Sequence, residues 1–296
     1  MEDGLLVEAL RSRDPGAPAA VYDAYAARLY AYCWFHLLHQ DAAQSALRDT
    51  LIVAEARIGR LRDPSALAPW LYTIARVECS HRAKLTDGSP DLAIARHDQD
   101  DADRRTVAWR ALRSLPPQAH EALELRMRHH LSLPGLAAVL GVSRRRIRVL
   151  LRDAEEDLRL ALTVEILARL GPHGCRGRGG VLAERVAGGL DPNVRAKLLA
   201  HAGECALCES HVPSKAFSPA KILGLSPYAR PPASLRVRVM NCFTDPELQG
   251  YRLFVATRNT EFTAAGFPGR SRGMPASAGF FGMVLRNLRP SRNMIA

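Results

Sequence analysis

The stretch from residue 115 to residue 158 constrains the fold of this chain more than any other part of it. Ser143 is a favoured residue for starting a helix, because its hydroxyl can accept a hydrogen bond from an unpaired amide of the first turn. A shorter apolar helix, about residues 133–140, precedes it, and Gly141 suits the turn between the two. Apolar residues after Ser143 recur at helical spacing and predict one buried face: Ile147, Leu150, Leu151, Ala154 and Leu158. The stretch therefore predicts a helix-turn-helix.

The second helix of this motif is strongly basic where it begins. Arginines lie on a different arc of the helix from the apolar residues: Arg144, Arg145, Arg146, Arg148 and Arg152. One face can therefore pack on a core while the other meets a polyanion. A recognition helix directs its N-terminal residues toward the bases of the major groove, where arginine contacts guanine or phosphate. The alternative is a solvated basic face on an ordinary helical hairpin, but the glycine turn and the serine cap favour DNA binding.

The overall charge also favours a polyanionic partner. The 296 residues carry a formal net charge of +11, with an isoelectric point of about 9.8. No apolar run approaches the roughly 20 residues of a membrane-spanning helix. Residues 1–14 lack the apolar core of a signal peptide. We therefore expect a cytoplasmic protein without a membrane partner. No nucleophile–base pair, phosphate loop or paired-carboxylate site stands out, so the chain is predicted not to be an enzyme.

The pattern along the chain predicts an all-α protein with two small helical domains. Between them, Gly88, Pro90 and the acidic run at residues 98–103 predict a solvated linker. Glycines after residue 170 mark a second boundary, and the chain beyond residue 212 is rich in Pro, Gly and Arg, so we expect it to be partly disordered. The predicted segments are a first helical domain (15–86), the acidic linker (87–104), the helix-turn-helix domain (105–168), a short helical segment (172–212) and the tail (213–296).

Cysteine and histidine cluster in the short helical segment. His201 and Cys205 are four residues apart and share one helical face, and Cys208 directs a second sulfur toward the same point. Zinc takes about four nitrogen or sulfur ligands in a tetrahedron, and Cys175 could supply the fourth, although His173 could replace it. The cluster predicts a structural zinc site. A thiol redox switch and cysteines that are merely packed are the alternatives.

Two helical units joined by an acidic linker resemble the extracytoplasmic-function class of sigma-70-type bacterial sigma factors, over about residues 15–165. Residues 41–51 look like the region 2 helix that docks on core RNA polymerase. Residues 62–64 and the string WLYTIAR at 70–76 look like the part where −10 promoter DNA is melted and recognised. Leu115-Pro116-Pro117 and the LGVS turn at 140–143 look like region 4.

The resemblance implies roles for particular residues. Tyr72 and Arg76 would face −10 DNA, whereas Trp70 and Ile74 of the same helix are expected in the core. Ser143 and the arginines of the second helix would bind the −35 element. Docking on core polymerase would involve Gln44, Arg48, Asp49 and Leu51. The family usually has acidic residues at the positions of Gln44 and Ser45, Gln at Arg48 and Phe at Leu51, so we expect a lower affinity for the polymerase.

The cysteine cluster has a resemblance of its own. His201, Cys205 and Cys208 with the upstream Cys175 resemble the zinc-binding anti-sigma domain, whose helices clasp a sigma factor and sometimes release it when thiols oxidise. The sigma-like part would then be covered by its own zinc-binding segment or by a separate anti-sigma factor.

Three functions follow from these observations. The first is a sigma factor that binds core RNA polymerase and directs it to −10 and −35 promoter elements. The alternative is a degenerate sigma-like regulator that binds DNA or a partner sigma factor without initiating transcription. A conventional helix-turn-helix repressor predicts a symmetric dimer and a palindromic site, and it leaves residues 15–84 unexplained.

Overall fold

The computed structural model of the protein describes residues 2–82, 99–184, 190–214, 217–258 and 261–269. Within these ranges the chain is helical, and its one β pairing is an isolated antiparallel bridge between Phe262 and Pro268. The prediction of an all-α fold is confirmed. No helix in the described ranges is long and apolar enough to cross a membrane.

The helices are short except for α2, α3 and α8. In chain order they are α1 (Asp3–Arg11), α2 (Ala17–Leu37), α3 (Gln40–Arg57), α4 (Leu67–Ser80), α5 (Gln99–Arg113), α6 (Pro117–Leu123), α7 (Leu133–Leu140), α8 (Arg144–Arg169), α9 (Arg176–Ala183), α10 (Pro192–Glu204), α11 (Ala206–Glu209), α12 (Pro219–Leu225), α13 (Leu235–Thr244) and α14 (Gln249–Arg258). Short 3₁₀ turns lie at Ile58–Arg60, Pro64–Ala66 and Pro246–Leu248, and a π-turn follows α6 at Glu124–Arg128.

The chain divides into two compact units. The first unit contains the described residues of Met1–Asp91, His129–Ile147 and Tyr228–Met274, and the second those of Leu92–Arg128, Arg148–Pro227 and Pro275–Ala296. These limits differ from the predicted domains, because α7 belongs with the first helices of the chain. Gly135 of α7 lies next to α4: a Cβ added there would be 3.5 Å from Cβ of Pro69, an ordinary van der Waals distance.

Aromatic residues fill the core of the first unit. Trp70, Tyr30, Tyr32 and Tyr72 are fully buried, and Ile74 is 1% exposed. The predicted core positions Trp70 and Ile74 are therefore confirmed as buried. At the turn that leads to α4, the Asp63 carboxylate accepts hydrogen bonds from the amide and the hydroxyl of Ser65.

The second unit is built around the C-terminal part of α8. Side chains of α8, α9, α10 and α11 form one apolar cluster there: Val164, Leu167, Ala168, Cys175, Val194, Leu198, Ala202 and Cys208. Arg178 is 8% exposed and donates hydrogen bonds to the carbonyls of Leu167 and Pro172, which caps the end of α8.

The predicted acidic linker differs from the structure at its end. Residues 99–104, assigned to the linker, form the first turns of α5, where Asp100 and Asp101 favour a helix because their charge opposes the dipole of the helix N-terminus. The rest of that prediction falls on residues 87–98, which lie outside the described residues.

The predicted tail contains more regular structure than its composition suggested. Residues 213–296 include α12, α13 and α14. Their apolar residues are few but recur at helical spacing, and Leu235, Val239 and Val255 are buried. Disorder was also expected in residues 259–260 and 270–296, which lie outside the described residues.

Candidate nucleic-acid interface and metal centre

The helix-turn-helix motif has the local geometry that its sequence predicts. The Ser132 hydroxyl accepts a hydrogen bond from the Gly135 amide (3.2 Å) and so caps α7. Gly141 ends this helix with a positive φ of 64°, a backbone conformation that glycine adopts without a Cβ clash. The Ser143 hydroxyl accepts from the Arg146 amide (3.2 Å), which caps α8 as expected.

The face of α8 that was predicted to meet DNA is exposed. The exposed set consists of Ser143, Arg144, Arg145, Arg146, Arg148 and Arg152. On the opposite face, Ile147, Ala154 and Leu158 have no exposed surface. Arg152 lies 3.2 Å from the Asp153 carboxylate in an exposed ion pair, which partly neutralises the last arginine of the row. The structure thus leaves four arginines of the first turns of α8 directed to solvent.

Tyr72 and Arg76, which were also predicted to face DNA, differ from the α8 arginines in that neither is exposed. Tyr72 is fully buried, its hydroxyl lies 3.0 Å from Nδ1 of His129, and its ring meets Tyr32 edge to face. Burial raises the pKa of the Tyr72 hydroxyl above its ordinary value. Arg76 is half-buried. In this conformation Tyr72 is enclosed, so contact between its ring and DNA requires the side chain to become exposed.

The four predicted docking residues lie on α3, and three of them are buried. Asp49 has no exposed surface, Leu51 is 3% exposed and Gln44 is 7% exposed, whereas Arg48 is half-buried. Asp49 is the centre of a charged network. Its carboxylate accepts hydrogen bonds from Arg48 (3.1 Å), Arg82, Tyr251 (2.6 Å) and Arg258 (2.8 Å).

The electrostatics of Asp49 follow from these partners. Burial disfavours its charge, but the hydrogen bond from Tyr251 and the guanidinium groups of Arg82, Arg48 and Arg258 outweigh burial and hold the pKa of Asp49 below its ordinary value. Glu78 accepts from Arg82 (3.0 Å) and from Arg258 in the same network. Sequence reasoning missed Arg82, Tyr251 and Arg258 because no local pattern connects them with Asp49.

The structure brings together the four predicted metal ligands. The ligand atoms of Cys175, His201, Cys205 and Cys208 all lie within 4.8 Å of one another, and His173 is not a member of the group. Cys175 precedes α9, His201 lies on α10, and Cys205 and Cys208 surround the start of α11. The fourth member of the group is therefore Cys175 and not His173.

One sulfur–sulfur distance in this cluster matches a tetrahedral zinc site. Zinc–sulfur bonds of about 2.3 Å at tetrahedral angles place two sulfurs roughly 3.8 Å apart, and the Sγ atoms of Cys175 and Cys205 are 3.8 Å apart. Nε2 of His201 lies 3.1 Å from Sγ of Cys175. The Arg178 amide donates to Sγ of Cys175 (3.3 Å), a bond of the kind that orients a thiolate ligand.

The two thiols of the Cys-x-x-Cys pair differ in acidity. Hydrogen bonds from the Cys208 and Leu207 backbone hold the pKa of the Cys205 thiol below its ordinary value. Burial and the neighbouring cysteines raise the pKa of the Cys208 thiol to about 12. A bound metal would lower the pKa of the Cys208 thiol instead, because a coordinating thiol loses its proton.

Gly177 permits the close approach of α9 to His201, and sequence reasoning missed it. A Cβ at position 177 would lie 2.7 Å from Cε1 of His201, a separation that side chains do not tolerate. Replacement of Gly177 by alanine should displace the imidazole and lower the affinity of the cluster for a metal ion by about 10- to 100-fold, as changes around metal ligands do. Chelator competition measures this affinity. Gly179→Ala is the matched control on the same helix, since a Cβ there meets nothing within 4 Å; equal affinities for the two variants would contradict the argument.

Comparison with known proteins identifies one part of the chain. Residues 111–160 match the family model described as Sigma-70, region 4. This match covers α6, α7 and most of α8, including the exposed arginines, so the similarity to sigma-70 region 4 extends over this part of the chain. No curated protein and no solved structure matches the chain.

Proposed function

We propose that the protein is a sigma factor, which binds core RNA polymerase and directs it to promoters with −10 and −35 elements. The observation that carries this proposal is the exposed arginine row of α8 inside the region that matches sigma-70 region 4. The first turns of α8 bind the −35 element, with bidentate arginine contacts to guanine and single contacts to phosphate. The all-α first unit, with α3 and α4 at its centre, would dock on the polymerase and contact −10 DNA.

We further propose that the Cys175, His201, Cys205 and Cys208 cluster holds zinc. Three thiolates and one imidazole are a donor set that selects zinc among the common divalent metals, and a site with four protein ligands is closed and structural. When bound, zinc ties α9, α10 and α11 together against the C-terminal part of α8. The residues of the site supply ligands only; we assign them no catalytic step.

The DNA half of the proposal predicts a specific effect of the arginines. Arg144→Ala or Arg148→Ala should each cost about 1–3 kcal/mol of binding free energy at a promoter if the side chain contacts a base, with little change on unrelated DNA. Fluorescence anisotropy with promoter-derived and scrambled duplexes, at several salt concentrations, measures both. A loss that is equal on all sequences would instead make the arginine a phosphate contact.

The control for this experiment is an exposed arginine of another helix. Arg110→Ala on α5 removes the same charge from an exposed position, so it should leave the preference for promoter DNA unchanged. If Arg110→Ala weakens promoter binding as much as Arg144→Ala does, the row on α8 is not the recognition surface.

Binding of core RNA polymerase tests the second part of the sigma-factor proposal. A pull-down of purified core enzyme with the full chain should recover a stoichiometric complex. Failure of core binding by the wild type and by the variants with a loosened C-terminal segment, introduced below, would overturn the sigma-factor proposal and favour the alternative of a sigma-like regulator that binds DNA without initiating transcription.

A further inference from the structure

The C-terminal part of the first unit packs on α3, the helix with the predicted docking residues. Helices α13 and α14 contact α3, and α13 also contacts α2. Their inward side chains are buried: Leu235, Val239, Cys242 and Val255. We refer to residues 228–269 as the C-terminal cover.

Polar contacts between the C-terminal cover and α3 are numerous. Arg252 pairs with Glu55 (2.5 Å), and the Arg57 guanidinium donates to the Ala256 carbonyl (3.1 Å). Arg258 reaches Asp49 as described above. Two carboxylates of α3 are thus paired with arginines that lie about 200 residues later in the chain. This complementary charge fixes the register of the cover on α3.

Two of the four positions where α3 departs from the sigma-factor pattern, Gln44 and Arg48, lie in this same interface. Gln44 accepts a hydrogen bond from Arg238. The Arg48 guanidinium lies over the Tyr251 ring, 4.5 Å from its centroid, and also donates to the Tyr251 hydroxyl. These two altered side chains of α3 therefore have partners in the cover, which gives a physical reason for their presence that sequence reasoning lacked.

A turn at the end of the cover reaches α4. The Trp70 indole donates to the Gly266 carbonyl (2.8 Å) across 196 residues of sequence. Gly266 has a positive φ of 83°, and a Cβ there would lie 1.9 Å from the Arg60 carbonyl oxygen. Only glycine fits at this position, so the turn is held against both the Arg60 backbone and the helix that carries the WLYTIAR string.

We propose that the C-terminal cover and core RNA polymerase compete for the same face of α3, so that the cover must leave before the protein binds the polymerase. This inference rests on the proposed sigma-factor function. The cover packs on α3 through a few apolar residues, the buried network of Asp49 and the partly exposed Arg252–Glu55 ion pair. When the cover leaves, Arg82 and Arg48 still pair with Asp49, whereas Glu55 loses Arg252 and becomes available to a cationic group of the competitor.

The test loosens the cover without changing α3 or α4. Tyr251→Phe combined with Arg258→Gln removes two donors of the cover from Asp49, while Arg82 and Arg48 remain to pair with the carboxylate. Gly266→Ala is a second loosening variant with a different physical basis, because its Cβ would collide with the Arg60 carbonyl. Arg230→Gln is the control: it removes an exposed charge from the same segment.

Core RNA polymerase is then titrated with each full-length protein in the presence of zinc and reductant. The loosened variants should bind core enzyme about tenfold or more tightly than the wild type, because a larger fraction of molecules is competent to bind. Arg230→Gln should bind as the wild type does. Hydrogen–deuterium exchange of residues 235–258 should be faster in the loosened variants and, in the wild type, faster in the polymerase complex than in the free protein.

The outcomes separate this inference from the proposed function. If the wild type binds core enzyme while residues 235–258 stay protected in the complex, or if loosening leaves affinity unchanged, the cover does not compete and the sigma-factor proposal stands. If neither the wild type nor the loosened variants bind core enzyme, the sigma-factor proposal fails and the competition fails with it.

Discussion

Replacement of Cys208 by serine is expected to abolish metal binding and to unfold the helices around the cluster. Cys208 is fully buried, belongs to the four-residue ligand group and also packs in the apolar cluster of the second unit. Without it a tetrahedral site loses one of its four ligands, so zinc affinity should fall by more than the roughly 10- to 100-fold that changes around the ligands cause.

Two measurements check this expectation. Metal analysis of protein purified under reducing conditions should find about one zinc per wild-type chain and almost none in Cys208→Ser after chelator treatment. Amide exchange should show loss of protection in α9, α10 and α11. The matched control is Cys242→Ser, a buried thiol of the other unit that is not in the ligand group and should retain zinc. Full zinc content in Cys208→Ser would contradict the site.

The second large effect is expected at Asp49. Asp49→Asn removes the charge that neutralises Arg82, Arg48 and Arg258 in a network with no exposed carboxylate surface. Loss of one partner from a buried charged network typically costs up to about 3–5 kcal/mol of unfolding free energy, and here Glu78 alone remains to compensate Arg82 and Arg258. Urea unfolding, followed by tryptophan fluorescence of the first unit, measures it.

The control and the pH dependence sharpen this prediction. Asp23→Asn breaks the exposed Asp23–Arg236 pair and should cost only about 0–1 kcal/mol of unfolding free energy.

The stabilisation by Asp49 should depend on pH, because the pKa of Asp49 is lower in the folded protein than in the unfolded chain. Its contribution to the unfolding free energy should be complete above about pH 4, the ordinary range of an aspartate, and should be lost as the pH falls through the lower folded value. A difference between wild type and Asp49→Asn that grows in acid would contradict the assigned charge.

Local signals in the sequence predicted local structure well. Ser143 and Gly141 predicted the start and the turn of the helix-turn-helix, because capping and left-handed backbone depend on a few adjacent residues. The same holds for His201, Cys205 and Cys208, whose spacing already places three ligands together. Cys175 needed a second helix, and only the structure decided between it and His173.

Interactions between distant segments could not be predicted in this way. The partners of Asp49 come from α3, from α14 and from Arg82, the second residue after the end of α4. No periodicity connects Tyr251 with a residue 202 positions earlier. The helices of the cover were also missed. Each has few apolar residues, so the sequence resembles a disordered segment until it is known that α13 and α14 pack on other helices and that Leu235, Val239 and Val255 are buried.

Transcription in vitro from a pool of genomic fragments tests most directly the proposal that this protein directs core RNA polymerase to promoters. Core enzyme is supplied with the wild type, with Tyr251→Phe/Arg258→Gln or with Arg144→Ala/Arg148→Ala, and the 5′ ends of the transcripts are sequenced. We expect the wild type to give start sites that share two spaced upstream sequence elements. Tyr251→Phe/Arg258→Gln should give more transcripts, and Arg144→Ala/Arg148→Ala should lose the preference for the −35 element. The same transcripts from core enzyme alone and with every variant would contradict it.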